Sequence, residues 1–264
     1  MIITEKFIYI HRPKTGGSFV TDALLKLYGG KWNFWKHAKL AIFKEIHFKN
    51  VLGTLTFNAN KHGGCSEIQP KYKDRSIVST IRNPYDYYVS QYEFGWWKRN
   101  DMQKYYKNVD RFSERFASFP ALSFTQFMEL MTAALNEPPF KDFYNQSAMG
   151  RYTAEFIKDY FYDSNTALDK LSADYFKNGV FKQDMFPVKY IFTHSLNQQL
   201  HQYLKELDYP EEDIEFILKK EKMLPQGKGR TSDQKWQTYY TPELKELVRK
   251  KDWFLFELFP EFEE

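Results

Sequence analysis

The chain has 264 residues, of which 42% are hydrophobic and 19% aromatic, and its 38 Lys and Arg against 34 Asp and Glu give a net charge of +4. This composition supports a sizeable buried core and excludes disordered and collagen-like chains. A single cysteine, Cys65, excludes an intramolecular disulfide and a zinc site built on several thiolates. The charge excess is too mild for a protein that coats nucleic acid, so we expect no nucleic-acid partner.

The N-terminal segment and the hydropathy pattern predict a cytoplasmic protein without a membrane span. Residues 1–6 include Glu5 and Lys6 and lead at once into a short apolar run, which is unlike a secretory signal peptide. No charge-free apolar stretch reaches about 18 residues, the length that a membrane-spanning helix needs.

Short apolar runs alternate with helical patterns along the chain. The strand-like runs are Phe7–Ile10, Val51–Phe57, Ile77–Ile81 and Val188–Phe192. The helical patterns cover Ser18–Tyr28, Tyr85–Trp97, Ser123–Leu135, Leu196–Leu207 and Pro242–Lys250. Because the first and last runs are largely continuous in apolar residues rather than alternating, we expect an α/β fold with a parallel sheet covered on both faces. The chain from 1 to 264 is predicted to form one domain, with a mainly helical subregion at about 100–182.

The first predicted strand runs into a glycine-bearing loop and then a helix. Residues 11–18 read HRPKTGGS, and this strand-loop-helix order aims free backbone N–H groups at an anion. Gly16 and Gly17 allow close approach of the backbone, Lys14 adds a cation and Ser18 a hydroxyl. Since the lysine precedes the glycines, unlike the order in nucleoside-triphosphate loops, we expect a ligand other than an ordinary magnesium nucleotide. The same residues also fit a plain tight turn.

A second motif follows the third predicted strand. Residues 82–92 read RNPYDYYVSQY, so that Arg82 ends a strand and Pro84 starts a helix. Ligands of open α/β sheets bind at the carboxyl ends of strands, and the planar fork of arginine suits a phosphate. Ser90, two turns into the helix, could donate a hydroxyl. The alternative is a structural ion pair between Arg82 and Asp86.

Together, Phe7–Phe19 and Ser79–Tyr92 resemble the two nucleotide-binding signatures of sulfotransferases that use 3′-phosphoadenosine 5′-phosphosulfate (PAPS). The PKTGGS form of the loop is most similar to the branch that includes carbohydrate sulfotransferases and bacterial relatives. A weaker likeness covers residues 236–256, whereas residues 100–182 have no counterpart. The resemblance implies a P-loop-like three-layer fold, with a central, mainly parallel sheet flanked by helices and a helical insertion.

The resemblance also implies the roles of individual residues. It places the loop around the 5′-phosphosulfate, and Arg82 and Ser90 on the 3′-phosphate. The loop residues concerned are Lys14, Thr15, Gly16, Gly17 and Ser18. Lys14 would neutralise the bridging oxygen during an in-line, metal-independent transfer that leaves 3′-phosphoadenosine 5′-phosphate (PAP). A basic, glycine-containing loop at residues 226–232 resembles the segment that closes over the nucleotide and offers Lys228 and Arg230.

The acceptor hydroxyl needs a base, and His62 is the first candidate. It follows the Val51–Phe57 strand, where relatives often carry a histidine or an acidic residue, and its ordinary pKa suits proton transfer. His47 and then Glu45 are the alternatives, and His62 could instead be a polar turn residue. The scattered histidines lack metal-site spacing, so no metal is expected.

The sequence features are compatible with three functions. The first is sulfuryl transfer to a hydroxyl on a carbohydrate or another small molecule. The second is binding of PAPS or PAP without turnover. The third is a P-loop kinase, against which the order of the lysine and the glycines in the loop argues.

Overall fold

The computed structural model describes residues 1–31, 34–99, 106, 109–134, 149–221 and 234–263. The chain is mixed α/β and divides into two units. The first unit comprises Met1–Arg82 and Phe186–Gly229, and the second comprises Asn83–Met185 and Arg230–Glu264. In the part of the chain that is described, no helix is both long and apolar enough to cross a membrane.

A six-stranded sheet forms the centre of the first unit. Its strands are β1 Ile2–Ile3, β2 Phe7–Ile10, β3 Glu45–Asn50, β4 Gly53–Asn58, β5 Ser76–Ile81 and β6 Val188–Phe192. Their spatial order is β3-β4-β1-β2-β5-β6. Strands β2, β5 and β6 run parallel, with Ile8 beside Ile77 and Ile77 beside Val188. The pairs β1–β2, β1–β4 and β3–β4 are antiparallel.

The sheet is therefore mixed and not mainly parallel as we expected. Strands β1 and β3 were not predicted, and each joins a neighbour through a connection of two or three residues, which can only link antiparallel strands. β1 has only two residues. In β3, Ile46 and Phe48 are buried while His47 and Lys49 are exposed, the alternation of a half-covered strand and not a continuous apolar run. The predicted strands at Phe7–Ile10, Ile77–Ile81 and Val188–Phe192 are confirmed.

Helices make up most of the remaining regular structure. In chain order they are α1 Gly17–Leu27, α2 Phe34–Phe43, α3 Pro84–Phe94, α4 Phe112–Arg115, α5 Phe124–Ala134, α6 Arg151–Tyr160, α7 Ser164–Lys170, α8 Ala173–Lys177, α9 Phe181–Asp184, α10 Leu196–Glu206, α11 Glu211–Ile214, α12 Pro242–Lys251 and α13 Trp253–Leu258. The five predicted helices are present. The second ends early, at Phe94, because Gly95 adopts a left-handed φ of 68° and terminates it.

The core of the first unit lies where α1 and α10 pack on the sheet. Val20 and Leu24 from α1 and Leu204 from α10 are 1% exposed or less, and they belong to one cluster with Val78 and Ile191 of the parallel strands. Burial of this surface fixes α1 at the end of β2 and so positions the intervening loop.

The second unit is helical and rich in packed aromatic rings. Tyr87 of α3 stacks on Tyr152 of α6, with ring centroids 3.9 Å apart and nearly parallel planes. Trp97 is fully buried and packs against Tyr92 and Phe127. Much of the aromatic content of the chain is therefore core in this unit.

One buried carboxyl group joins three helical segments of the second unit. Asp252 is 0% exposed and accepts hydrogen bonds from the Tyr88 hydroxyl, the Thr153 N–H and the Thr153 hydroxyl, each at 2.8 Å. A Cβ on Gly150 would lie 2.3 Å from its oxygen atoms, so only glycine fits there. Burial raises the pKa of Asp252 to about 6, and the bonds from Tyr88 and Thr153 oppose that rise.

We expect Asp252→Asn to destabilise the protein less at pH 7 than at pH 4. The carboxyl group has a pKa of 3.8 in the unfolded chain and of about 6 in the folded protein. As the pH rises from 4 to 7, the wild type therefore loses about 2–3 kcal/mol of stability, whereas the variant, which cannot ionise, does not. Urea unfolding at the two pH values measures the difference. A cost of the substitution that grows with pH would contradict the raised pKa.

Candidate anion-binding site

The loop between β2 and α1 makes a tight turn. Lys14 has a φ of 65°, which is uncommon for a residue with a side chain, and Gly16 has a φ of 89°. Thr15 between them is buried, and its hydroxyl donates to the carbonyl of Arg12 at 3.0 Å. The left-handed conformations on either side of Thr15 turn the chain from the strand directly into α1. A strained backbone of this kind is common at ligand-binding loops.

The first turn of α1 leaves hydrogen-bond donors available. The N–H of Phe19 donates to the carbonyl of Gly16 at 2.9 Å. Among the hydrogen bonds of the described residues, none uses the backbone N–H groups of Gly16, Gly17 or Ser18. The hydroxyl of Ser18, which is half-buried, has no acceptor or donor there either. Unused N–H groups and the positive end of a helix dipole are the features that attract anions in other proteins.

A chain of buried hydroxyl groups supports the loop from below. The Tyr9 hydroxyl lies 2.8 Å from the Thr80 hydroxyl, which lies 2.9 Å from the Thr15 hydroxyl. Ser79 donates to the carbonyl of Ile10 at 2.7 Å. Our sequence analysis missed Tyr9, Ser79 and Thr80 as supports. The available signal was the pair of hydroxyl residues inside the otherwise apolar strand β5.

The structure brings the two sequence motifs together through Arg82 and Lys14. Arg82 follows β5, the parallel neighbour of β2, and its Nη1 donates to the carbonyl oxygen of Lys14 at 2.9 Å. This bond joins residues that are 68 positions apart. A guanidinium group therefore lies at the loop between β2 and α1.

Ser90, a further predicted site residue, is placed differently. Ser90 belongs to the second unit, where it is half-buried in the second turn of α3. Lys228 and Arg230 lie outside the described residues, so their role stays a prediction.

His11 is buried against the start of α1. Its side chain is 4% exposed, and its Nδ1 lies 3.0 Å from the hydroxyl of Thr21. A Cβ on Gly17 would lie 2.3 Å from its Nε2, so the helix backbone touches the ring directly. Burial lowers the pKa of His11 to about 2, and the charges of Lys61 and His62 add to that shift. His11 is therefore neutral at physiological pH and acts as a packing and hydrogen-bonding group.

His62 is oriented by the loop itself. Its Nδ1 donates to the carbonyl of His11 at 2.9 Å, and the two imidazole rings meet edge to face at 5.1 Å. The carbonyl can only accept, so the neutral imidazole carries its proton on Nδ1 and its lone pair on Nε2. Burial lowers the pKa of His62 below its ordinary value of 6.5, the bond to His11 opposes this, and Lys61 adds to the lowering. A neutral histidine with a free Nε2 is suited to accept a proton.

The alternative bases lie on other parts of the sheet. His47 is exposed on β3 and its Nδ1 lies 2.8 Å from the hydroxyl of Thr56. Glu45 accepts a hydrogen bond from Gln69 at 3.1 Å. No contact between described residues joins either side chain to the loop, so the geometry favours His62.

The described residues of this site belong to no metal cluster. Within the described ranges, no three His, Cys, Asp or Glu side chains are grouped so that they could hold a metal ion. A pocket of about 490 Å³ belongs to the second unit and is lined by residues such as Arg115, Glu129 and Leu244, none of which we predicted to be functional.

No protein-family model matches the chain, and comparisons with curated proteins and with solved structures found no match. The function must therefore be argued from these residues.

We expect Gly17→Ala to destabilise the protein by about 1–3 kcal/mol, because the added methyl group overlaps the ring of His11. His11→Ala removes the obstacle, so the double variant should cost clearly less than the sum of the two single variants. Urea unfolding of all three variants gives the coupling energy. Gly29→Ala is the matched control, since no atom lies within 4 Å of its added Cβ and its cost should not depend on His11. Strictly additive costs for Gly17 and His11 would refute the overlap.

Proposed function

We propose that this chain is a sulfotransferase that moves a sulfuryl group from PAPS to an acceptor hydroxyl and releases PAP. The observation that carries the proposal is the hydrogen bond from Arg82 to the carbonyl of Lys14, because it joins the two motifs that resemble the nucleotide-binding signatures. The proposal includes a P-loop-like centre, formed by β2, its loop, α1 and the parallel strands β5 and β6.

The loop would bind the 5′-phosphosulfate. The N–H groups at the start of α1, the hydroxyl of Ser18 and the ammonium of Lys14 would surround its oxygens, in the manner of other helix N-termini that bind phosphate. Thr15 holds the turn through Thr80, and Gly16 and Gly17 give the backbone the close approach that an anion needs.

Recognition of the 3′-phosphate is assigned to Arg82 and Ser90, with Lys228 and Arg230 as further cations. The donor carries roughly four negative charges, since a terminal phosphate contributes about −1.5 to −2. Separate binding of the 3′-phosphate would distinguish PAPS from ATP.

The proposed reaction is an in-line displacement at sulfur. The acceptor oxygen forms a bond to sulfur while the bond from sulfur to the bridging oxygen of the 5′-phosphate breaks, and the electron pair leaves with PAP. Lys14 neutralises the charge that develops on that oxygen. Nε2 of His62 takes the proton of the acceptor hydroxyl. Sulfuryl transfer depends mainly on positioning and charge neutralisation, so we propose that it proceeds without a metal ion. The acceptor is a carbohydrate or another small hydroxyl compound.

We expect PAP to stabilise the protein against heat in the presence of excess EDTA. At 100 times its dissociation constant, PAP should add about 2.7 kcal/mol to the free energy of unfolding.

Lys14→Ala should weaken the binding of PAP by about 10- to 100-fold, because a charge-assisted bond to phosphate is lost. Lys26→Ala, which changes an exposed lysine in the last turn of α1, should not change it. Stabilisation by magnesium-ATP but not by PAP would indicate a kinase instead.

We expect His62→Ala to lower kcat by about 10²- to 10⁴-fold while PAP affinity stays nearly unchanged. Transfer of labelled sulfate from PAPS to a panel of hydroxyl acceptors measures the rate, and His47→Ala is the matched control.

Because the pKa of His62 lies below 6.5, kcat/KM should be constant near neutral pH and fall as acid protonates the base. A rate that depends on His47 and not on His62 would reject the assignment. PAP binding with no transfer to any acceptor would favour a binding protein without turnover.

A further inference from the structure

One face of α2 exposes large apolar side chains. Trp35 is 72% exposed, Ile42 70% and Phe43 69%. Positions 35, 39 and 42 are three or four residues apart, so Trp35, Lys39 and Ile42 lie along one face of the helix, and Phe43 is adjacent. Scattered apolar side chains are normal on a surface, whereas three large ones on one ten-residue helix are not.

The adjacent side of α2, which carries Lys36 and Leu40, attaches the helix to the first unit. Leu40 packs against the core of that unit. The ammonium of Lys36 lies 4.0 Å from the centre of the Phe48 ring of β3, and it donates to the carbonyl of Lys31 at 2.9 Å. Leu40 and Lys36 therefore attach the helix to the first unit, whereas Trp35, Ile42 and Phe43 stay largely exposed.

Positive charge is concentrated around this helix. Residues 31–49 contain five lysines and one acidic residue, Glu45. The remainder of the chain has equal numbers of basic and acidic residues, so this short segment accounts for the whole net charge of +4. Lys39, Lys44 and Lys49 are exposed. Strong charge of one sign around an apolar face indicates a partner with an apolar interior and a surface of the opposite sign.

We propose that the exposed face of α2, formed by Trp35, Lys39, Ile42 and Phe43, docks on an anionic lipid bilayer. The helix would lie in the plane of the interface, with its apolar side chains among the upper acyl chains and the surrounding lysines at the lipid headgroups. Tryptophan favours this boundary because its ring is amphipathic. The proposal does not depend on sulfuryl transfer.

Two other occupants fit the face less well. In a symmetric dimer the same surface meets itself, so the lysine-rich segments of both copies would face each other without compensating acids. A nucleic acid would satisfy the lysines but would leave Ile42 and Phe43 against a charged backbone, where burial of apolar surface gains nothing.

Vesicle co-sedimentation of the full chain tests the proposal. We expect binding to phosphatidylcholine vesicles that contain roughly 30% phosphatidylserine, weak binding to pure phosphatidylcholine, and release as salt rises from about 0.1 to about 0.5 M. Ile42→Ser combined with Phe43→Ser should weaken partitioning at least about tenfold. Lys39→Gln combined with Lys44→Gln should weaken it about fivefold per lysine.

The controls change exposed residues of the first unit that lie outside α2. Leu218→Ser changes an exposed leucine of the same unit, and Lys219→Gln an exposed lysine, and neither should alter partitioning. Because the changed side chains of α2 are exposed, all variants should keep the near-UV circular dichroism of the wild type. Equal binding to both kinds of vesicle, no binding to either, or full binding by the Ile42 and Phe43 variant would overturn the proposal. Concentration-dependent dimerisation that this variant abolishes, without vesicle binding, would assign the face to a second copy.

Discussion

The direct contact between the backbone of α1 and the ring of His11 is the constraint on which the candidate site depends. Gly17 has no room for a Cβ, and at Gly16 the left-handed φ and the nearby side chain of Leu196 impose the same restriction. The two glycines bring the helix N-terminus against the end of β2. With larger residues the first turn of α1 would have to move away, and its free N–H groups would no longer lie beside Lys14.

The loop then orients two side chains, His62 and Arg82, through its own carbonyl groups. The carbonyl of His11 accepts the bond from His62 and selects the tautomer with a free Nε2, and the carbonyl of Lys14 accepts the bond from Arg82. These side chains come from distant segments, yet each takes its position from the same short turn. The buried hydroxyls of Thr15 and Thr80 keep that turn in register with β5. A change in the loop backbone should therefore disturb the cation and the base together.

Burial favours the neutral form of a titratable side chain both in this loop and in the second unit. Burial keeps His11 neutral, which avoids one more positive charge beside Lys61 in a loop that already contains Arg12 and Lys14 and accepts a bond from Arg82. Burial has the same physical effect on Asp252, where it favours the protonated acid. The whole excess of positive charge lies around α2. The net positive charge of the chain thus comes from one short segment and is not spread along the whole sequence.

Local patterns in the sequence determined the three parallel strands, the five predicted helices and the loop between β2 and α1. They sufficed because a continuous apolar run, a glycine pair or a cap such as Thr241 before Pro242 acts over a few neighbouring residues. Only the tertiary structure decided the antiparallel half of the sheet, the support of the loop by Tyr9 and Thr80, and the hydrogen bond that joins His62 to the loop. Each of these depends on contacts between residues far apart in the chain, and a side chain that packs or bonds at long range has no local signature. The exposure of Trp35, Ile42 and Phe43 is a result of the same kind, since apolar residues on a helix predict burial until the packing shows which side is covered.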